Sequence, residues 1–185
     1  MMGRLLACWF TLLVLVGLTA APAVARDNAP LRRSMPANTR VTYIDCGVTN
    51  GFYHPATGRV YICNENVSLP KGVQNFILFH ELAHAVIDRH DIPYTGLEEA
   101  AADEYAALVM LENGRADEVI QAGEWMMAAG GEDNPADLHL SNKRRGLTLL
   151  CMAMQKEYGL TSDLCTVNYE TVKKTWGKLL DGVEE

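Results

Sequence analysis

Two short runs near the start of the chain alternate β-branched and aromatic residues: Val41-Thr42-Tyr43-Ile44 and Arg59-Val60-Tyr61-Ile62-Cys63. Between them lie the turn formers Gly47, Asn50, Gly51, Pro55 and Gly58. The pattern predicts two antiparallel strands joined by a loop. From Gly72 the period changes to that of a helix: Val73, Phe76, Ile77, Leu78, Leu82, Val86 and Ile87 recur on one side until Pro93 stops the run. Further helical runs cover about 96–111, 115–129, 139–157 and 163–181, punctuated by Gly114, Gly130-Gly131 and Gly159. Val172, Trp176 and Leu179 form the stripe of the last one. No internal repeat interrupts this order. The expected class is α+β, a small antiparallel sheet packed with about five helices in one domain over residues 41–185.

Residues 1–25 follow a different rule. Arg4 precedes a short apolar core from Leu5 to Leu18, and Ala23-Val24-Ala25 supplies a small-x-small cleavage site. This is the layout of a secretory signal peptide, and the apolar run is shorter than the ~20 residues a spanning helix needs. Residues 26–40, with Pro30, Pro36 and little apolar content, read as a flexible entry segment. The expectation is an exported chain, periplasmic or secreted, with no membrane span after cleavage.

The formal net charge is -7, and an acidic single domain has little to attract a phosphate backbone, so nucleic acid is not an expected partner. Export also changes the reading of the cysteines. Cys8 leaves with the leader, and Cys46, Cys63, Cys151 and Cys165 remain. An even number in an oxidising compartment predicts disulfides, and locality favours Cys46–Cys63 and Cys151–Cys165. A zinc site of four cysteines would want a close C-x-x-C pair, which the sequence lacks.

The chemistry lies in the first helix. His80-Glu81-Leu82-Ala83-His84 is H-E-x-x-H. Residues four apart on a helix lie about 40° apart on one face, so both imidazoles can reach one Zn²⁺ ion. Glu81, about 60° from His84 on the same side, can act as general base toward a water without being a ligand. The motif is embedded among Phe79, Leu82, Ala83, Ala85 and Val86, so it is expected on a largely buried helix.

A zinc hydrolase needs a third ligand. Glu99 and Asp103 are four apart and share a face of the next helix, beside the small Ala100, Ala101 and Ala102. One carboxylate can bind the metal while the other accepts from a ligand histidine. Glu99 is the expected ligand, with Asp103 behind it; Glu98 and Glu104 read as a solvated helix face. The rival is His90, six residues after His84, but the spacing that uses it requires a glycine at position 87, where this chain has Ile87. On a continuing helix His90 lies about 80° from His80 and 120° from His84, turned away from the metal.

HELAH followed by Glu99-x-x-Ala-Asp103 resembles the gluzincin metallopeptidases with a short connector. More narrowly, three stretches resemble a bacterial metallopeptidase-like family of uncharacterised function. They are Cys46-Gly47 with Asn50-x-Phe52-Tyr53 and Cys63; His80 to Asp88 with Ile92-Pro93, Gly96 and Glu98-Glu99 to Asp103; and His139 to Arg145 with Cys151. Gly146 and Thr148 depart from that pattern, where an aromatic and an amide residue would be expected. The resemblance implies a zincin fold, in which the active-site helix lies beside a small sheet whose edge strand can hold an extended peptide. It also implies a role for His139 in steadying the oxyanion, with Asp137 orienting it.

Other side chains carry weaker readings. Tyr53, Tyr61 and Tyr105 are rivals for the oxyanion role but are better explained by packing. His54 reads as a turn residue. Arg144 and Arg145 either orient carboxylates near the site or form a solvated helix face. Trp125, Met126 and Met127 read as core or cleft wall. The expected function is a zinc-dependent peptidase acting on a peptide or protein. The alternatives are a catalytically silent, zinc-stabilised binding or inhibitory protein on the same scaffold, and a zinc hydrolase of a non-peptide substrate. The sequence leaves the oligomeric state open.

Overall fold

The structure is a computed structural model that describes residues 39–94, 96–133 and 139–181. The leader, most of the entry segment and Asp137 lie outside the described residues. The observed class is α+β. Three strands come first, β1 (Arg40–Ile44), β2 (Gly51–His54) and β3 (Arg59–Cys63). Five helices follow: α1 (Lys71–Arg89), α2 (Glu98–Glu112), α3 (Ala116–Ala129), α4 (Asn142–Tyr158) and α5 (Tyr169–Leu179). Arg40, assigned to the entry segment from sequence, already belongs to β1.

The sheet is mixed, and this corrects the antiparallel pairing expected of its two longer strands. β1 runs parallel to β3, with Ile44 opposite Cys63, and β2 runs antiparallel to β3, with Gly51 opposite Ile62. The order β1-β3-β2 puts β2 at the edge. β2 escaped the sequence reading because Asn50, Gly51 and Pro55 look like turn residues and leave only Phe52 and Tyr53 with strand character. The parallel register also explains the first disulfide. In an antiparallel pair Cys63 would lie about 13 Å from the end of β1, four residues at ~3.3 Å each. In the parallel pair both cysteines sit at the same end, and Cys46 and Cys63 are bridged with their Cα atoms 5.4 Å apart. Cys151 and Cys165 are bridged as well, Cα to Cα 5.7 Å, tying α4 to the segment before α5.

α2 is the central helix. From Tyr105 to Leu111 every residue is buried, so this helix is apolar all round rather than on one stripe, as a helix enclosed by others must be. α1, α3, α4 and α5 surround it. α3 and α4 cross closely because each has a glycine at the contact. A Cβ on Gly146 would lie 2.6 Å from the Gly123 carbonyl oxygen and 2.9 Å from Met127, so the aromatic side chain expected at position 146 has no room. α4 begins at Asn142 behind an N-cap at Ser141, whose side chain accepts from the Arg144 N–H. His139 therefore precedes the helix it was expected to open. α5 begins at Tyr169, six residues later than expected, behind an N-cap at Asn168. Among the described residues no helix is long and apolar enough to cross a membrane.

Candidate metal centre

α1 contributes Val73, Phe76, Ile77, His80, Glu81 and His84 to one cleft, a stripe at helical spacing. The cleft encloses about 770 Å³. β2 forms one wall with Gly51, Phe52 and Tyr53, and Trp125 and Met126 of α3 also line it. β2 can lie against α1 because position 51 has no side chain: a Cβ there would meet Glu81 Cγ and Ile77 Cγ2 at 2.9 Å each. The strand is fastened further along, where the Tyr53 hydroxyl donates to Asp88 at 2.7 Å. Burial, and then that carboxylate, push the phenol up to about 12.

The two motif histidines aim their Nε2 atoms at one place. These atoms lie 3.2 Å apart, and Glu99 Oε2 lies 3.0 Å from that of His80 and 3.3 Å from that of His84. Each ring turns its other nitrogen to a carboxylate. His80 Nδ1 is 2.8 Å from Asp103 Oδ1, close enough for charge pairing though not aligned along the ring N–H. His84 Nδ1 is 2.8 Å from Glu98 Oε1, and the other oxygen of Glu98 accepts from the Tyr94 hydroxyl at 3.0 Å. Glu98, read as solvated from its position beside Glu99, thus belongs to the site. It occupies the first turn of α2, where a side chain is free to reach past the helix end to His84.

The electrostatics follow from this clustering. Burial works against ionised Glu99, but the imidazoles of His139, His80 and His84 outweigh it and hold the carboxyl well below its usual range. Burial likewise opposes ionised Asp103, and His80 and Arg145 hold it down to about 2. Glu81 behaves in the opposite way. Burial raises its pKa, the neighbouring imidazoles only partly offset this, and the Tyr53 backbone N–H donates to it. His139 Nε2 lies 2.9 Å from Glu99 Oε2, and that carboxylate raises its pKa. His80, Glu99 and His139 offer ligand atoms within 4.8 Å of one another.

These donors suit zinc. A tetrahedral zinc ion with bonds of ~2.0–2.1 Å sets its ligand atoms about 3.3–3.4 Å apart. The triangle of His80 Nε2, His84 Nε2 and Glu99 Oε2, with edges of 3.0, 3.2 and 3.3 Å, is close to one face of such a tetrahedron. Two imidazoles and a carboxylate are also a donor set zinc accepts. His90 is not among these donors. It caps the end of α1, with Asp91 in left-handed conformation beside it. Arg145 reaches Asp103 with both arms of its guanidinium, at 2.7 and 2.9 Å, while Arg144 pairs with Asp133 instead. Tyr105 is buried in the core against Trp176, and Tyr61 stacks on Phe52.

No curated protein and no solved structure matches the chain. A family model described as Putative metallopeptidase (DUF4344) matches residues 68–180. That span takes in α1, α2, His139 and α4 and starts after the sheet, so the strand residues of the sequence resemblance fall outside it. The chain, with its H-E-x-x-H helix and carboxylate-bearing partner helix inside the match, belongs to this family.

Proposed function

We propose that this chain is an exported zinc-dependent metallopeptidase, with His80, His84 and Glu99 as the metal ligands and Glu81 as the general base. The observation that carries the reading is the near-equilateral triangle of His80 Nε2, His84 Nε2 and Glu99 Oε2. A zinc ion bound to these atoms would lower the pKa of a coordinated water toward ~7 and polarise the scissile carbonyl. Asp103 and Glu98 hold the Nδ1 sides of the two rings and so leave both Nε2 atoms to the metal. Glu81 lies on the cleft beside the histidines, and its raised pKa suits a group that takes a proton and passes it to the leaving amine. His139, on the cleft with its Nε2 2.9 Å from Glu99 Oε2, is the proposed donor to the developing oxyanion. An extended substrate would lie along β2, whose outer edge has no strand partner among the described residues. Two disulfides suit an oxidising compartment and support export.

One observation favours a second reading, a catalytically silent zinc-stabilised binding protein. His139 clusters with His80 and Glu99, and as a fourth ligand it would close the position that a catalytic zinc site keeps open. Metal analysis of the purified protein, together with digestion of a broad peptide library by wild type and Glu81→Gln, separates the two. The enzyme reading expects zinc in both proteins and cleavage by the variant slower than by wild type by ~10²–10⁴-fold. Zinc in both with cleavage by neither favours the silent protein, and equal cleavage by both removes Glu81 from the mechanism.

A further inference from the structure

A buried carboxylate must be partnered, and Asp103, 3% exposed, is partnered from two sides. Its Oδ1 lies 2.8 Å from His80 Nδ1. Arg145 donates from Nε to Oδ2 at 2.7 Å and from Nη2 to Oδ1 at 2.9 Å, a two-pronged grip that fixes the plane of the carboxylate. The arginine is itself largely buried, with 14% of its side chain exposed. It comes from α4, at the residue before Gly146, whose contact with Gly123 sets how closely α4 approaches α3.

We propose that Arg145 is a positioning residue for the metal centre. By gripping both oxygens of Asp103 it fixes this carboxylate 2.8 Å from His80 Nδ1, where its charge favours the proton on that nitrogen and so leaves His80 Nε2 to the metal. The inference rests on the zinc reading above. The two ligand histidines are therefore held by different means. His84 is steadied by Glu98, whose side chain is 40% exposed and which also accepts from the Tyr94 hydroxyl. His80 is steadied by a buried ion pair anchored in another helix. A lysine at 145 would keep the charge but lose the fork, because an ammonium is a point charge with no fixed plane.

The test is zinc affinity on the full mature chain for wild type, Arg145→Met, Arg145→Lys, Asp103→Asn and the double variant Asp103→Asn/Arg145→Met. Circular dichroism confirms folding, and ¹⁵N NMR of the histidine rings is recorded in the zinc-loaded proteins. Arg145→Met is expected to weaken zinc binding by ~10–100-fold, the usual cost of losing an outer partner of a ligand, and Arg145→Lys to recover only part of it. In the Asp103→Asn background, Arg145→Met should cost little more, because its route to the metal is already cut. The His80 ring signals should change in Arg145→Met while those of His84 stay, which general loosening of the fold would not produce. A folded Arg145→Met or Arg145→Lys with wild-type affinity and unchanged His80 signals overturns the inference, as does an equal loss in both backgrounds. A wild type that binds no zinc overturns the zinc reading first, and this one with it.

Discussion

His80 and His84 point their Nε2 atoms to within 3.2 Å of each other, while their Nδ1 atoms face carboxylates on opposite sides, Asp103 and Glu98. Imidazoles brought this close repel once both are protonated, so the pair is compatible with neutral rings around a cation or with charge supplied by carboxylates. Glu99, between them, provides the carboxylate in either case.

Removing the carboxylates one at a time should grade the site. Glu99→Ala should lose zinc outright. Asp103→Ala and Glu98→Ala should each weaken zinc binding by ~10–100-fold, the usual penalty for an outer partner of a ligand. Glu98→Ala should have the smaller effect, because Glu98 is the more exposed of the two. His90→Ala should leave affinity unchanged. Competition titration against a chromophoric chelator gives all four values, and a metal-free His90→Ala beside a zinc-loaded Glu99→Ala would reverse the ligand assignment.

Stability should depend on pH in opposite ways with and without metal. In protein stripped by a chelator, burial disfavours the His80 imidazolium, but Asp103 and Glu99 prevail and raise its pKa to about 9. A folded-state value above the unfolded ~6.5 means that this stabilisation is fully present below pH ~6.5 and is lost as pH rises through 9. Zinc needs the neutral ring, so its contribution grows over the same interval. The difference in Tm between zinc-loaded and stripped protein should widen from pH 6.5 to 9. A constant difference across thermal melts at pH 6, 7.5 and 9 would mean that His80 does not take up the proton.

Gly51→Ala should damage both fold and site. The added methyl would lie 2.9 Å from Glu81 Cγ and from Ile77 Cγ2 and 3.1 Å from Ile62 Cδ1. Overpacking of this kind costs about 1–3 kcal/mol. Because one of the displaced groups is the proposed base, turnover should fall further than zinc affinity. Urea denaturation, zinc titration and peptide cleavage on the one variant separate the three effects.

The disulfides should be measurable singly. Non-reducing peptide mapping should recover Cys46–Cys63 and Cys151–Cys165. Replacing both cysteines of either pair with serine should lower unfolding free energy by about 2–4 kcal/mol. A peptide joining Cys46 to Cys151 would contradict the pairing.

Much of this molecule is legible in the sequence, for physical reasons that differ by element. α1 to α3 fall near their expected bounds because proline and glycine punctuate long runs of helical period. His80 and His84 share a face because they are four residues apart on α1, whereas Glu99 comes within 3.0–3.3 Å of their Nε2 atoms only through the packing of α2 on α1. β2 is not legible, since a four-residue strand bounded by Asn50 and Pro55 is too short to display a period of two. Glu98 is 40% exposed, in keeping with a solvated face, yet it also reaches His84 Nδ1 at 2.8 Å, a contact between helices that spacing along one helix does not reveal. Arg145 is ambiguous in sequence because only the packing of α4 against α2 brings position 145 to Asp103, and helical spacing within α4 does not reveal that contact.

All the proposed donors except His139, with the carboxylates behind them, belong to one contiguous helical hairpin, residues 71–112, whereas β2 belongs to a piece of chain that precedes it. The turns on either side of β2, residues 45–50 and Pro55–Thr57, are mostly exposed, and Thr49, Asn50 and Pro55 among them line the mouth of the cleft. Insertions there would remodel the rim along which a partner must lie and leave the hairpin untouched. Recognition and reactivity are thus separately heritable in this architecture: descent can retune what enters the cleft by editing loops, while point changes in the hairpin put the chemistry itself at risk.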